Sequence, residues 1–253
     1  MSKIKVKTKK EIELIRSAGA LAAETLIRAG EMCKPGVSTL EIDDFIGDYT
    51  NRHGGISACL GYHGYPRYAC ISINEVICHG IPSKDTILKD GDIVNIDITT
   101  ILSGYHGDCS AMFCVGNVSK EARELVDVTK LCLEEGIRAA AMPKARFSDI
   151  GCAIQPIADE HGFSVVEDYC GHGIGRGFHE EPNVLHYANS ERTPIIEIGN
   201  VFTIEPMINA GKPGTKTLGD GWTAVTVDGR LSAQWEHTMV KTKDGIDILT
   251  LPR

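Results

Sequence analysis

The sequence repeats a strand-like pattern that ends in a carboxylate. Gly91-Asp-Ile-Val-Asn-Ile-Asp97 and Gly199-Asn-Val-Phe-Thr-Ile-Glu205 lie 108 positions apart, each a glycine, an apolar run and a carboxylate six residues on. At a shift of 110, Glu24, Ile27, Arg28, Ala29, Met32 and Ser38 fall on Glu134, Ile137, Arg138, Ala139, Met142 and Ser148. A two-residue deletion then carries His53-Gly54 onto His161-Gly162. Chance matches among helical residues are common, and the matched carboxylates carry more weight. The repeat predicts a single domain over 1–253 built of two related halves, roughly 8–115 and 120–241. Halves that face each other bring Asp97 and Glu205 towards one central site.

Hydrophobic spacing gives each half two helices and then strands. Thr8 with Glu11 forms a capping box ahead of Ile12, Ile15, Ala18, Ala22 and Leu26, which share a helical face. Ser38 with Glu41 opens a second helix that runs to about Gly54. Strand-like runs follow at 68–79, 92–101 and 105–115, then helices at 120–141 and 148–161. Further strands are expected at roughly 165–170, 200–209, 222–227 and 231–241, the last pair joined by a turn at Asp228-Gly229.

Several of these runs carry acidic groups where a sheet interior is expected. In NIDITTILSGYHGDCS, residues 95–110, a hairpin centred near Leu102 and Ser103 sets Asp97 directly across from Asp108 on one face. Opposed like charges destabilise a strand pair, by roughly 3 kcal/mol at about 5 Å and an effective dielectric near ~20. Glu205 ends the run VFTIE before Pro206, and Glu236 sits between Trp235 and His237 in SAQWEHTMV. A buried carboxylate has to be paired, protonated or metal-bound. Four separate salt bridges are the plain alternative, but these strands supply almost no lysine or arginine. One or two divalent cations neutralise the cluster at once.

A histidine would complete such a ligand set, and CGHGIGRGFHE offers His172 and His179. The glycines around them let backbone fold tightly and approach a ligand. A flexible glycine-rich loop is the bland alternative. The stretch is not a phosphate-binding fingerprint, because it lacks the Lys-Ser/Thr of a P-loop. The sharper reading makes His172 a ligand and His179 a substrate-facing group.

Composition narrows the class. With 253 residues, 42% hydrophobic and 24% charged, the chain has ample material for a core. A net charge of -8 argues against a general nucleic-acid binder; the basic octet KIKVKTKK at 3–10 reads as a solvated arm. No apolar segment follows it as in a signal peptide, and no stretch approaches the ~20 apolar residues of a membrane span. Nine scattered cysteines without CxxC spacing read as free thiols in a reducing cytoplasm.

The motifs CHGIP (78–82), NIDIT (95–99), GYHGDCS (104–110), GHGIGRGFHE (171–180), FTIEP (202–206) and QWEHT (234–238) are together highly specific. On them, and along essentially its whole length, the chain resembles the type I methionine aminopeptidases, in the short form without an N-terminal zinc-finger extension. The resemblance implies the pita-bread fold, an α+β architecture of two pseudo-symmetric halves with a curved antiparallel sheet backed by helices. It implies two divalent ions, Asp97 chelating one, His172 and Glu205 holding the other, and Asp108 and Glu236 bridging them. Oxygen-rich ligands of this kind suit Mn(II), Fe(II) or Co(II), with Zn(II) also compatible.

The same resemblance assigns roles to further residues. Glu205 is also the proton shuttle, His179 hydrogen-bonds the scissile carbonyl, and His79 contacts the next amide nitrogen. A methionine side chain enters a pocket lined by Cys59, Tyr62, Tyr65, Cys70, Phe178 and Trp222, whose soft surfaces suit a thioether. Core packing for the tyrosines and a satisfied structural histidine for His79 are the plain alternatives. The expected substrates are N-termini of nascent polypeptides with a small second residue, met at the ribosome by a monomeric protein. Prolidases and aminopeptidases P carry an additional N-terminal domain, whereas the first helix here begins by Thr8. Type II methionine aminopeptidases insert a helical segment between two glutamates that here, as Glu205 and Glu236, are 31 positions apart. A binding module on the same fold that has lost catalysis is the alternative of another class.

Overall fold

Local capping sets the helices. Thr8 Oγ1 accepts from Glu11 N at 3.3 Å and Glu11 Oε2 accepts from Thr8 N at 2.8 Å, opening α1 (Lys9–Gly30). Ser38 and Glu41 do the same for α2 (Thr39–Arg52). Ser119 Oγ accepts from Ala122 N at the start of α3 (Lys120–Ala141). The start of α4 (Phe147–Glu160) departs from the expected match of Ser148 with Ser38. Ser148 lies inside the first turn, its N–H donating to Thr193 Oγ1 at 2.7 Å. Arg146 occupies the cap, and Asp149 accepts its backbone N–H at 2.8 Å. Cap to cap, α2 and α4 are offset by the same 108 positions as the carboxylate strands.

In the computed structural model, which describes residues 4–190 and 192–252, these helices pack on a nine-stranded antiparallel sheet. Its strands run Ile56–Ser57, Ile93–Leu102, Tyr105–Cys114, Glu236–Thr242, Val201–Ile204, Gly171–Gly173 and Glu180–Val184 in spatial order. Cys70–Ile73 also pairs with Ile93–Leu102, and Gly245–Ile248 pairs with Glu236–Thr242. The two halves of the chain therefore meet where Glu236 pairs with Ser110 and His237 with Cys109.

Alternation along the strands separates core from site. Val94, Ile96, Ile98 and Cys109 turn to α1 and α2, in one cluster with Leu26, Ile42 and Ile46. Phe202, Ile204 and Met239 turn to α3 and α4, with Leu125, Phe147 and Ile150. Each such side chain contributes about 1.5–3 kcal/mol by leaving water. The residues between them, Asp97, Thr99, Asp108, Ser110, Thr203 and Thr238, point to the opposite face.

Three expectations from the sequence change in detail. The hairpin turns at Ser103 and Gly104, with φ of 53° and 76°, so Leu102 pairs with Tyr105. Both central residues take the positive φ that a type I′ turn requires. Asp97 then faces Ser110, and Asp108 faces Thr99, two positions from the direct opposition expected. A slip of two keeps both on the same face. The expected strand 200–209 breaks at Glu205-Pro206 into Val201–Ile204 and Met207–Asn209, and 231–241 breaks at Trp235. The second piece of the first, Met207–Asn209, and the first piece of the other, Ser232–Gln234, join Ser164–Val165 in a separate three-stranded sheet.

In the basic N-terminal stretch Lys5, Lys9 and Lys10 are exposed, as expected of a solvated run, but Lys7 is not; Lys3 lies outside the described residues. Val6 bridges to Asn200, Lys7 N donates to Gly199 O at 2.8 Å, and the Lys7 side chain is buried. A second buried lysine, Lys241, closes α3, its Nζ donating to the carbonyls of Ala140, Ala141 and Met142 at 2.7, 2.8 and 2.9 Å. Those carbonyls lack helical partners, and a cation answers the negative end of the helix. Lys241→Met, which keeps the stem and loses the donors, is expected to cost about 2–4 kcal/mol of stability. Urea unfolding checks this, and an unchanged midpoint would show that water replaces the ammonium. No helix among the described residues is long and apolar enough to cross a membrane.

Candidate active site

Strand register gathers the acidic groups. Across the sheet, Asp97 pairs with Ser110 and Ser110 with Glu236, in one row. The adjacent row runs Thr99, Asp108, Thr238, Thr203: Thr99 pairs with Asp108, Thr238 Oγ1 donates to Asp108 O at 2.8 Å, and Thr238 pairs with Thr203. His172 continues this row, its N–H donating to Thr203 Oγ1 at 3.0 Å. Glu205 follows the last residue of its strand, so the chain can bend at Pro206 while its carboxyl reaches the others.

Asp108, His172, Glu205 and Glu236 are buried, and Asp97 is half-buried with its free edge on a cavity. Ligand atoms of Asp108, His172 and Glu236 all lie within 4.8 Å of one another, near enough to share a cation. His172 Nε2 stands 3.7 Å from Asp108 Oδ2 and 3.6 Å from Glu205 Oε1, too far for hydrogen bonds. Its Nδ1 lies 3.0 Å from Gly173 O, which places the proton on Nδ1 and leaves Nε2 a free lone pair. Burial, then the neighbouring His179, lowers its pKa to about 3, so the ring is neutral near pH 7.

No lysine or arginine offsets these charges: among the described residues, none of the four carboxylates forms an ion pair with either. Burial accordingly raises the pKa of all four, and repulsion from neighbouring carboxylates raises Asp108 and Glu236 further. The compensation available is local. Thr99 Oγ1 donates to Asp108 Oδ1 and Thr203 Oγ1 to Glu205 Oε1, both at 2.7 Å, and Gln234 Nε2 approaches Glu205 Oε2 at 3.4 Å. Glu236 Oε1 is buried with no hydrogen-bond partner.

A cavity of about 150 Å³ opens onto this cluster, lined also by His79, His179, Cys59, Tyr62, Tyr65, Cys70, Phe178 and Trp222. Every site residue expected from the sequence therefore lines one space. Cys59, Tyr65 and Cys70 form an apolar cluster of their own, with Ile81, Phe178 and Trp222 packed on it. Cys59 and Cys70 are free thiols. Tyr65 donates to Gly80 O at 2.9 Å and packs its ring edge-on to Trp222, so it offers the cavity its ring. His179 stands at the mouth, partly in solvent, stacked on Phe178 and tilted against His172, with Tyr62 Oη 2.7 Å from its Nδ1. Desolvation, then the nearby His79, lowers its pKa to about 4. His79 holds a left-handed backbone, φ 57°, with its ring edge-on to Tyr169.

Sequence reasoning missed the residues that support this lining. Thr99 and Thr203 sit inside the motifs NIDIT and FTIEP, but ordinary strand alternation gave them no role. His186 accepts the Glu205 N–H on Nε2 at 3.0 Å, nineteen residues away in sequence. Gln234 and Ile81 lie inside the motifs QWEHT and CHGIP, which was the one signal that could have found them.

Comparison with known proteins agrees with this geometry. The family model described as metallopeptidase family M24 matches residues 13–243. Methionine aminopeptidase of Escherichia coli strain K12 is 53% identical over 249 residues, covering 98% of this chain and 94% of that protein. Methionine aminopeptidase A of Synechocystis sp. is 52% identical, covering 96% of each. The crystal structure of methionine aminopeptidase from Rickettsia prowazekii superposes with a TM-score of 0.95 at 47% identity, over 98% of this chain and 100% of that one. A prolidase from Pyrococcus furiosus shares the fold at 23% identity and a TM-score of 0.77, over 98% of this chain and 66% of that one. The sheet is thus the curled half-barrel of the pita-bread architecture.

Proposed function

We propose that this chain, which belongs to metallopeptidase family M24 and removes N-terminal methionine from polypeptides, does so with the residues lining its 150 Å³ cavity. The observation that carries the assignment of roles is the joining, in one space, of an acidic donor cluster with a recess of thiols and aromatic rings. The donors fit divalent cations. Their carboxylates lack basic partners among the described residues, Glu236 Oε1 is orphaned, and His172 Nε2 is free. Asp97 would chelate one ion, His172 and Glu205 another, with Asp108 and Glu236 between them; such ligands suit Mn(II), Fe(II), Co(II) or Zn(II). Bound there, two such ions supply Lewis acidity and a hydroxide at neutral pH.

The protein's own groups do the rest. The acidic cluster receives the substrate's free α-amino group, which confines the reaction to the first residue. Glu205, oriented by Thr203 and Gln234, takes the proton of the attacking water and passes it to the leaving amine. Tyr62, donating to His179 Nδ1, keeps the proton on Nε2, and that N–H stabilises the carbonyl oxygen as charge develops. His79 contacts the amide beyond. The methionine side chain enters the recess of Cys59, Tyr65, Cys70, Phe178 and Trp222, a space smaller than the ~300–1,000 Å³ of drug-sized pockets and suited to a single side chain.

The substrates in view are the N-termini of nascent polypeptides, met at the ribosome by a monomeric protein. Nine free thiols support a reducing, cytoplasmic setting. With added Mn(II) or Co(II), Met-Ala-Ser is expected to release methionine and Met-Leu-Ser is not. Inactivity with every divalent metal would leave a binding module on this fold. Release of proline-linked residues instead would move the chain to the prolidase branch.

A further inference from the structure

The loop that carries Phe178 and His179 is fastened from outside the cavity. Lys7 Nζ lies 2.6 Å from Glu180 Oε2, with the two side chains 6% and 9% exposed. In every other lysine or arginine ion pair among the described residues, at least one partner is substantially exposed. The second Glu180 oxygen accepts Gly177 N at 3.0 Å. The ammonium fits because residue 175 has no side chain: a Cβ on Gly175 would lie 2.4 Å from Lys7 Nζ and 3.2 Å from Glu180 Oε1. Gly175 O accepts from His106 N at 2.8 Å. The arm bearing the lysine is itself fixed, by Lys7 N to Gly199 O at 2.8 Å and Asn200 Nδ2 to Lys5 O at 3.3 Å. One residue before Glu180, His179 takes its place at the mouth.

We propose that Lys7 is a positioning residue for His179, its buried pair with Glu180 fixing the loop from which His179 meets the substrate. This rests on the substrate role given to His179 above. Lys7 does not line the cavity; it acts through Glu180 and the turn Gly177 closes. Removing the ammonium leaves Glu180 with the Gly177 N–H and the exposed Lys5, whose Nζ stands 3.6 Å from the same oxygen, so the loop loses its one buried, hydrogen-bonded cation and its anchor loosens. A displacement of about 1 Å at a catalytic group is enough to lose on the order of 100-fold in rate.

The test uses the full chain saturated with Mn(II) and Met-Ala-Ser as substrate. Lys7→Met and Glu180→Gln, which keeps an acceptor for Gly177, are each expected to lower kcat about 10–100-fold with KM within about threefold. Bound Mn(II) per chain is expected to stay at the parent value. In a His179→Ala background, Lys7→Met is expected to add nothing, since both changes remove the same interaction. Should Lys7→Met fail to fold, Glu180→Gln and its combination with His179→Ala carry the test. Parent-like kcat in either single variant, or an additive loss in the His179→Ala background, would overturn the proposal. An unchanged kcat in His179→Ala alone would instead remove the role of His179.

Discussion

Glu205→Gln is expected to slow methionine release by about 10²–10⁴-fold, the range over which general acid–base groups contribute. The amide is nearly isosteric, so packing beneath it is kept. Its chemistry is not. The carboxyl accepts Thr203 Oγ1 on one oxygen and Gln234 Nε2 on the other, and its backbone N–H is held by His186. This scaffold fixes the group without supplying it a proton acceptor other than itself. An amide in the same place takes up no proton from water and returns none to the amine, and it offers a cation a weaker oxygen. The two losses are separated by measuring single-turnover release together with bound metal. A deficit that persists at full occupancy belongs to proton transfer. Activity within tenfold of the parent at full occupancy would take Glu205 out of the proton path.

Why Glu205 was legible at all is a matter of burial. A carboxylate at the end of an apolar strand contradicts its surroundings, and four such contradictions without basic neighbours leave few physical resolutions. The face each residue occupies was legible too, because alternation survives errors of even number: the hairpin register was off by two, yet Asp97 and Asp108 kept a common face. Leu102-Ser103-Gly104 marked the turn, but serine carries little preference for positive φ, so nothing there set Ser103 rather than Leu102 at its head. What remained hidden was set by distant chain. The break at Glu205-Pro206 sends Met207–Asn209 to a different sheet, with partners Ser164–Val165 and Ser232–Gln234. Lys7 looked like part of a solvated basic run until Glu180, 173 residues away, received it. His186 has no local pattern to mark it, and its link to Glu205 exists only in three dimensions.

Metal-free protein is expected to lose thermal stability as the pH is raised from about 7 to about 8.5, and saturating Mn(II) to make that slope shallower. The sign follows from proton counts. Burial holds Asp97 up at about 7, burial with some repulsion from Asp97 holds Glu205 at about 8, and Asp108 and Glu236 are raised by burial and by the carboxylates around them. Unfolded, these groups lose their protons near pH ~4. Above that the folded, metal-free chain binds more protons than the unfolded one, so its stability falls with pH until the folded values are passed. Buried histidines act oppositely: His172 and His186, lowered by burial to about 3, take stability away as the pH falls below ~6.5. Above ~6.5 their contribution is flat; buried thiols such as Cys78 and Cys109, raised by burial, add a fall of their own as unfolded thiols ionise near ~8.5, so the carboxylate share is the part of the slope that Mn(II) removes. A cation replaces the protons, so its binding releases them and tightens as the pH rises. At about 1,000 times the dissociation constant, binding adds ~4 kcal/mol, a rise in Tm on the order of 10 °C for a chain of this size. Calorimetry in buffers of different ionisation enthalpy counts the protons released. A slope that Mn(II) leaves unchanged, with no proton released on Mn(II) binding, would mean the carboxylates are already ionised and compensated by something other than a cation.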